Sequence, residues 1–495
     1  MVVSFREART VSPPPRAGLR LALLAFTQFL IALDYNIVYV ALPDIGAGLA
    51  FTAQSLQWVV SGYAVGFGGF LLLGGRAVDR LGQRRMFMLG LALFGIACLA
   101  GGGATGPGVL IAARAVQGFG AALVTPATLS LVNTGFTEGP ARVRALAVWA
   151  AGGSAGLAAG ALLGGVVTEF AGWRWVLYVM VPLAALALLA APRLLARDAA
   201  VGLDRGRGGF DLPGALIVTA ASVFLVFGLV SGPEAGWGSV HGAGAVAAGA
   251  VLFAVFVLVE RRTADPLVPL RLLRNRSLAT AMLVILVFQS ALGGAYYLLT
   301  GYLQDGLHYD ALRAGLVFLP LTAVSLMASL RIGPPLVARW GVRRTLVTGM
   351  AVNGLGIAAL GAGMSAGGSF WSLLPGIAVW GVGGGLTFPA MFVAASSGVP
   401  AEEQGVASAL ATTAQQIGGA VGLAFLVAIA NSGRDGISSR GAAHAALVHG
   451  LHAAALVAGV ASVAGALLGF VLKRPEPEVT AVSTPIPTDR QEINR

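Results

Sequence analysis

The chain has 495 residues, 57% of them hydrophobic and 11% charged, with a mean hydropathy of +0.82. A soluble globular chain carries about 25% charged residues, so the composition excludes a soluble domain and describes an integral membrane protein with many spans. The formal net charge of +11 is not a nucleic-acid footprint, because the charges lie between apolar runs and not in a basic domain.

In chain order, about fourteen apolar runs reach the roughly 20 residues that a membrane helix needs. They cover 20–43, 55–75, 86–104, 107–133, 145–168, 175–192, 212–231, 243–260, 277–303, 312–330, 345–364, 371–397, 405–430 and 451–472. The first is too long for a cleaved signal peptide, is interrupted by Asp34 and is followed by many more. Arginine alternates along the gaps. Arg6, Arg9, Arg16 and Arg20 precede the first run; Arg76, Arg80, Arg84 and Arg85 follow the second; Arg142 and Arg144 follow the fourth; Arg193, Arg197, Arg205 and Arg207 follow the sixth. Arg261, Arg262, Arg271, Arg274 and Arg276 follow the eighth, and Arg331, Arg339, Arg343 and Arg344 the tenth. The intervening gaps hold only Arg174, Arg313, Arg434 and Arg440, so both termini are expected on the cytoplasmic side. The gap after the twelfth run breaks the pattern, with Glu402 and Glu403 and no arginine.

Lys473, the single lysine, is followed by Arg474, so there is no Walker A motif and no lysine Schiff-base site. Cys98 is the only cysteine, which excludes a disulfide framework. His444, His449 and His452 cluster near the last run, but no metal-ligand spacing supports a metal site.

Two segments repeat. "GGRAVDRLGQRR" (Gly74–Arg85) matches "GPPLVARWGVRR" (Gly333–Arg344) 259 residues later, and "AVQGFGAALVTPA" (Ala115–Ala127) matches "AVWGVGGGLTFPA" (Ala378–Ala390) 263 residues later. The near-equal offsets predict an all-α polytopic membrane protein of two pseudo-symmetric six-helix bundles with two extra helices between them. The expected division is a cytoplasmic tail at 1–19, a bundle at 20–192, the inserted pair with its linkers at 193–276, a second bundle at 277–472 and a disordered tail at 473–495.

Asp34 lies in the outer half of the first run and Arg114 one or two turns into the fourth. An intramembrane ionisable group is a functional candidate by default, and a carboxyl in low dielectric beside a cation can load and release a proton. The bland readings are a hydrogen-bonding structural acid and an arginine that snorkels to the nearer interface. Gln28, Asn36, Tyr63, Gln117, Gln289, Tyr296, Tyr297 and Gln415 mix amide and aromatic character suited to large amphipathic molecules; ordinary inter-helix hydrogen bonding is the alternative for each.

These motifs resemble the major facilitator superfamily, and specifically its fourteen-span drug:proton antiporter family. Gly75, Asp79, Arg80, Gly82, Arg84 and Arg85 resemble its loop motif; Arg114, Gln117, Gly118 and Gly120 its fourth-span motif; "LDYNIVYVALPDI" its first-span motif; and "GWRWVLYVMVP" (Gly172–Pro182) its fifth-to-sixth-span signature. "GLAAGALLGG" keeps Gly156, Gly160, Gly164 and Gly165 of the antiporter motif but has Ala161 for its proline, and Met180 replaces a usual asparagine. The extra acid some members carry in span ten is absent from Leu312–Leu330. The resemblance implies proton-coupled export of drugs or antibiotics by alternating access across a bacterial cytoplasmic membrane, by a monomer without a cofactor. It implies proton coupling by Asp34 and Arg114, and a cytoplasmic latch formed by Asp79 and Arg80. The glycine face of span five is expected between the two halves. Export of an endogenous metabolite, amino acid or lipid precursor, and uptake by symport, stay open. A membrane enzyme would need further acids at the depth of Asp34, which the spans lack; a receptor would not need the duplicated loop motif.

Overall fold

The computed structural model describes residues 17–472 other than 52, 57, 199–210, 237, 264–265, 310, 366 and 432–439. The tails 1–16 and 473–495, with Arg6, Arg9, Arg16, Lys473 and Arg474, lie outside the described residues, as do Arg205, Arg207, Arg434 and the side chain of His444. All regular structure among the described residues is helical, as expected where lipid offers the backbone no partner.

The first half comprises α1 (Ala17–Gly48), α2 (Trp58–Leu81), α3 (Gln83–Gly102), α4 (Pro107–Gly135), α5 (Pro140–Ala171) and α6 (Met180–Leu194). Helices α7 (Leu212–Ala235) and α8 (Ala245–Glu260) follow. The second half comprises α9 (Arg276–Gly301), α10 (Ala311–Met327), α11 (Gly333–Ala362), α12 (Phe370–Ser396), α13 (Gln404–Asn431) and α14 (Arg440–Ala466). Among the described residues, 12 helical segments are long and apolar enough to cross a membrane. One of these, Arg313–Ala362, runs through α10 and α11, and a shorter apolar stretch, Pro213–Leu229, lies within α7.

Helix limits differ from the hydropathy runs where local chemistry overrides composition. Helix α1 continues through Pro43 to Gly48, because a proline costs the helix one backbone donor while the neighbouring bonds persist. The segment read as a loop from Gly75 is helical as far as Leu81, and the chain breaks only at Gly82, whose φ of 107° suits glycine. The repeat reproduces this: Gly341, with φ 78°, kinks α11 at the matching place.

Packing repeats as the sequence does. α1 lies on α5, α2 on α4, and α3 on α4 and α6; in the second half α9 lies on α13, α10 on α12, and α11 on α12 and α14. The halves meet where α2 and α4 touch α13 and where α5 touches α10 and α12. α7 and α8 pack on each other, and α7 rests on α2 and α13 beside that seam.

The glycines of α5 do not lie between the halves. Gly156, Gly160 and Gly164 face the carbonyl oxygens of Phe29, Leu33 and Ile37 on α1, inside the first half. Both series advance by four residues, the spacing that lets two backbones approach closely. Gly165 points away and meets only Val40, at 4.0 Å from an added Cβ.

Candidate functional site

The glycine stripe sets the rotation of α1. With Leu33 and Ile37 turned to α5, and Asn36 donating from Nδ2 to the Leu157 carbonyl at 2.9 Å, Asp34 faces the interior of the first half. There it meets Arg114 of α4. Arg114 Nη1 donates to Asp34 Oδ2 at 2.9 Å and to Oδ1 at 3.2 Å, and the two side chains are 2% and 0% exposed. Gln117, one turn along α4, accepts from Arg114 at 2.6 Å and donates to Asp34 Oδ1 at 2.7 Å and to Cys98 at 2.9 Å. Arg114 Nε donates to the Val59 carbonyl at 3.1 Å, and its guanidinium lies 4.5 Å from the ring centre of Tyr63 on α2. The arginine does not snorkel. Its charge is met by a carboxylate, an amide, a carbonyl and an aromatic face, the compensation that a buried cation requires.

Gln117 and Tyr63 therefore belong to this cluster and are buried, whereas they were read as cavity candidates. Gln28, Asn36, Tyr296, Gln289 and Gln415 are half-buried and Tyr297 is exposed. Tyr296 stacks on Phe318 at 5.3 Å and meets Trp380 edge-on at 5.2 Å.

A second constellation closes the arginine-rich end, where α1 begins and α2 ends. Asp79 accepts from the backbone N–H groups of Gly405 and Val406, both at 2.8 Å, at the start of α13. A carboxylate at a helix N-terminus satisfies orphan donors and complements the helix dipole. Gly75 and Gly405 make the approach possible: a Cβ on Gly75 would lie 2.6 Å from the Gly405 carbonyl oxygen, and one on Gly405 equally close to that of Gly75. Asp79 thus latches onto the other half through the backbone at the start of α13. Next to it, Glu403 pairs with Arg271, which gives one of the two acids in that gap an arginine partner. Trp149 of α5 adds an aromatic plug, 5.3 Å from Phe392 and 6.4 Å from Phe388 of α12; Phe388 in turn lies 6.5 Å from Phe288 of α9.

Sequence reading missed Asp198. Its two carboxylate oxygens accept from the backbone N–H of Arg84 at 2.9 Å and of Arg85 at 3.0 Å, capping α3 just beyond Gly82. It also missed two buried acids at the ends of the inserted pair: Asp211, which caps α7 through Gly214 at 3.0 Å, and Glu260, which accepts from Leu267 and Val268. Asp198 meets backbone 114 residues away, which no local pattern marks, whereas Asp211, with Pro213 behind it, is a local N-cap and Glu260 takes its donors from the turn just after its helix. No group of three or more metal-ligating side chains occurs among the described residues, and His452 instead contacts the Gly361 carbonyl at 2.8 Å.

Residues 24–423 match the family model described as Major Facilitator Superfamily. The chain is 39% identical over 438 residues to the cephamycin export protein CmcT of Amycolatopsis lactamdurans, covering 86% of this chain and 87% of that protein. It is 37% identical over 452 residues to the puromycin resistance protein pur8 of Streptomyces alboniger, covering 90% and 89%. The fold is similar to that of the human organic anion transporter MFSD10, with a TM-score of 0.65 at 15% identity over 93% of this chain and 100% of that one.

Proposed function

The chain belongs to the Major Facilitator Superfamily, and from that premise we propose that it exports antibiotics or related amphipathic small molecules in exchange for protons, by alternating access across a bacterial cytoplasmic membrane. It is a transporter and not an enzyme, as its family and relatives are. The named roles of the relatives in export and resistance support the substrate class.

The observation that carries the coupling is the buried Asp34–Arg114–Gln117 cluster. Arg114 donates to both carboxylate oxygens of Asp34. A proton arriving at Asp34 removes that attraction. Arg114 keeps Gln117, the Val59 carbonyl and the Tyr63 ring, so it stays compensated while the tie of α1 to α4 weakens to the neutral hydrogen bond from Gln117. The proton is released when Arg114 pairs with the carboxylate again. A proton thereby changes the relative stability of the two access states, which is what exchange requires. The Asp79 latch and the aromatic plug define the state with the arginine-rich end closed.

In this reading the arginine-rich end is cytoplasmic, with both termini there. The helices make fourteen crossings, as two six-helix bundles (α1–α6 and α9–α14) with α7 and α8 inserted. The protein works as a monomer, with the proton gradient and no cofactor.

Transport in everted vesicles under an imposed pH gradient, with Asp34→Asn beside wild type, tests the proposal. Gradient-driven uptake that the inserted mutant lacks supports it. Uptake that survives the substitution removes Asp34 from coupling, and no gradient-driven movement by the wild type rejects drug antiport.

A further inference from the structure

Gln28 of α1 and Gln289 of α9 stand 261 residues apart, and packing makes them equivalent. On α1, the carbonyls of Ala25 and Phe29 face Gly152 and Gly156 of α5; on α9, those of Leu286 and Ser290 face Gly418 and Gly422 of α13. The two glutamines occupy the same turn of their halves. Each leaves its side-chain carbonyl oxygen buried with no hydrogen-bond partner among the described residues. An unmade bond to a buried acceptor is costly, and two at related positions point to a partner that this state does not admit.

Their neighbours indicate when such a partner has access. Gln28 lies against Gly153, one turn from Trp149, and Gln289 directly follows Phe288. Both glutamines border the plug that closes the arginine-rich end. Seven residues further on, about 10 Å along each helix, stand Tyr35 and Tyr296, again an equivalent pair. Tyr35 is 42% exposed, whereas the side-chain carbonyl oxygens of the two glutamines are buried.

We propose that Gln28 and Gln289 are paired acceptors that bind an ammonium, amine or hydroxyl donor of the substrate while the arginine-rich end is open, and that closure of the plug buries them and promotes release on the other side. The inference rests on the export reading above. It adds a substrate requirement, a hydrogen-bond donor, which that reading does not contain.

The test uses the full chain in proteoliposomes with two organic cations: ethidium, whose aryl amines donate, and tetraphenylphosphonium, which has no donor. In Gln28→Leu/Gln289→Leu, the KM for ethidium should rise about tenfold, the loss of two ordinary hydrogen bonds, while that for tetraphenylphosphonium stays unchanged. Retained tetraphenylphosphonium transport also reports that the variant is folded. An unchanged KM for ethidium overturns the inference. So does an equal loss of both probes in the leucine pair and in Gln28→Met/Gln289→Met. A wild-type protein that moves neither probe overturns the export reading and this inference together, whereas the other negative results leave export standing.

Discussion

Gln117 of α4 and Trp380 of α12 occupy equivalent positions, 263 residues apart, and do opposite things. Gln117 bridges Asp34, Arg114 and Cys98; Trp380 packs among Ala295, Leu321, Ile357 and Ile377. The correspondence covers the whole cluster. Asp34 matches Ala295, Arg114 matches Ile377 and Cys98 matches Ile357 at the repeat offsets. Tyr63 matches Leu321, since the carbonyl of each faces the equivalent glycine, Gly118 or Gly381. A buried ionic site in one half is a hydrophobic core in the other.

That asymmetry predicts one coupling site per chain. Export of a monovalent cation should therefore exchange for a single proton and be electroneutral. Reconstituted protein should give no net current on a solid-supported membrane while the same preparation acidifies or alkalinises the lumen. A sustained current would require a second titrating group.

Removing one member of the ion pair should harm stability more than removing both. Arg114→Gln strands a buried carboxylate, at a cost of about 3–5 kcal/mol. Arg114→Gln combined with Asp34→Asn leaves no charge behind, so it should unfold at a higher temperature than Arg114→Gln alone. Thermal unfolding in detergent measures the order.

The Asp79 cap on α13 should be worth about 1 kcal/mol, a helix N-cap, and Asp79→Ala should therefore shift the closed-to-open balance roughly fivefold. A reporter cysteine at Ser408, buried on α13, would read the shift, because native Cys98 is buried and silent. Faster labelling of Ser408→Cys in the Asp79→Ala background is expected. Equal rates would show that the latch does not set the balance.

Two neighbouring glycines of α5 should respond differently. A Cβ on Gly160 would lie 2.6 Å from the Leu33 carbonyl and 2.9 Å from Asn36 Cβ, so Gly160→Val should push α1 away and turn Asp34 from Arg114. A loss of about 1–3 kcal/mol, with transport lost as well, is expected. Gly165→Ala has only a contact at 4.0 Å and should be neutral within about 0.5 kcal/mol. Thermal stability and vesicle transport of the two variants give the comparison.

Asp198 should protect the start of α3. In Asp198→Ala the N–H groups of Arg84 and Arg85 lose their acceptor, a loss of about 1 kcal/mol. Hydrogen exchange over residues 83–86 should speed up, with the rest of α3 unaffected. Gly82→Ala should act in the same direction, since φ of 107° and the Asp198 carboxylate both exclude a side chain.

The sequence by itself determined that the chain is helical and membrane-spanning and that it is duplicated. Lipid cannot satisfy a backbone, so each long apolar run becomes a helix whatever it packs against. Asp34 and Arg114 were legible for a related reason: a charge in an apolar run has no bland place to go. Tertiary structure alone decided which faces meet. Rotation about a helix axis is set by long-range partners, and composition is silent about it. The Gly156–Gly164 stripe could equally have faced the other half; its match to carbonyls spaced four apart on α1 turned it inward and aimed Asp34 at Arg114. Asp79 and Asp198 found their partners in backbone N–H groups, which every residue but proline carries and which no sequence motif can single out.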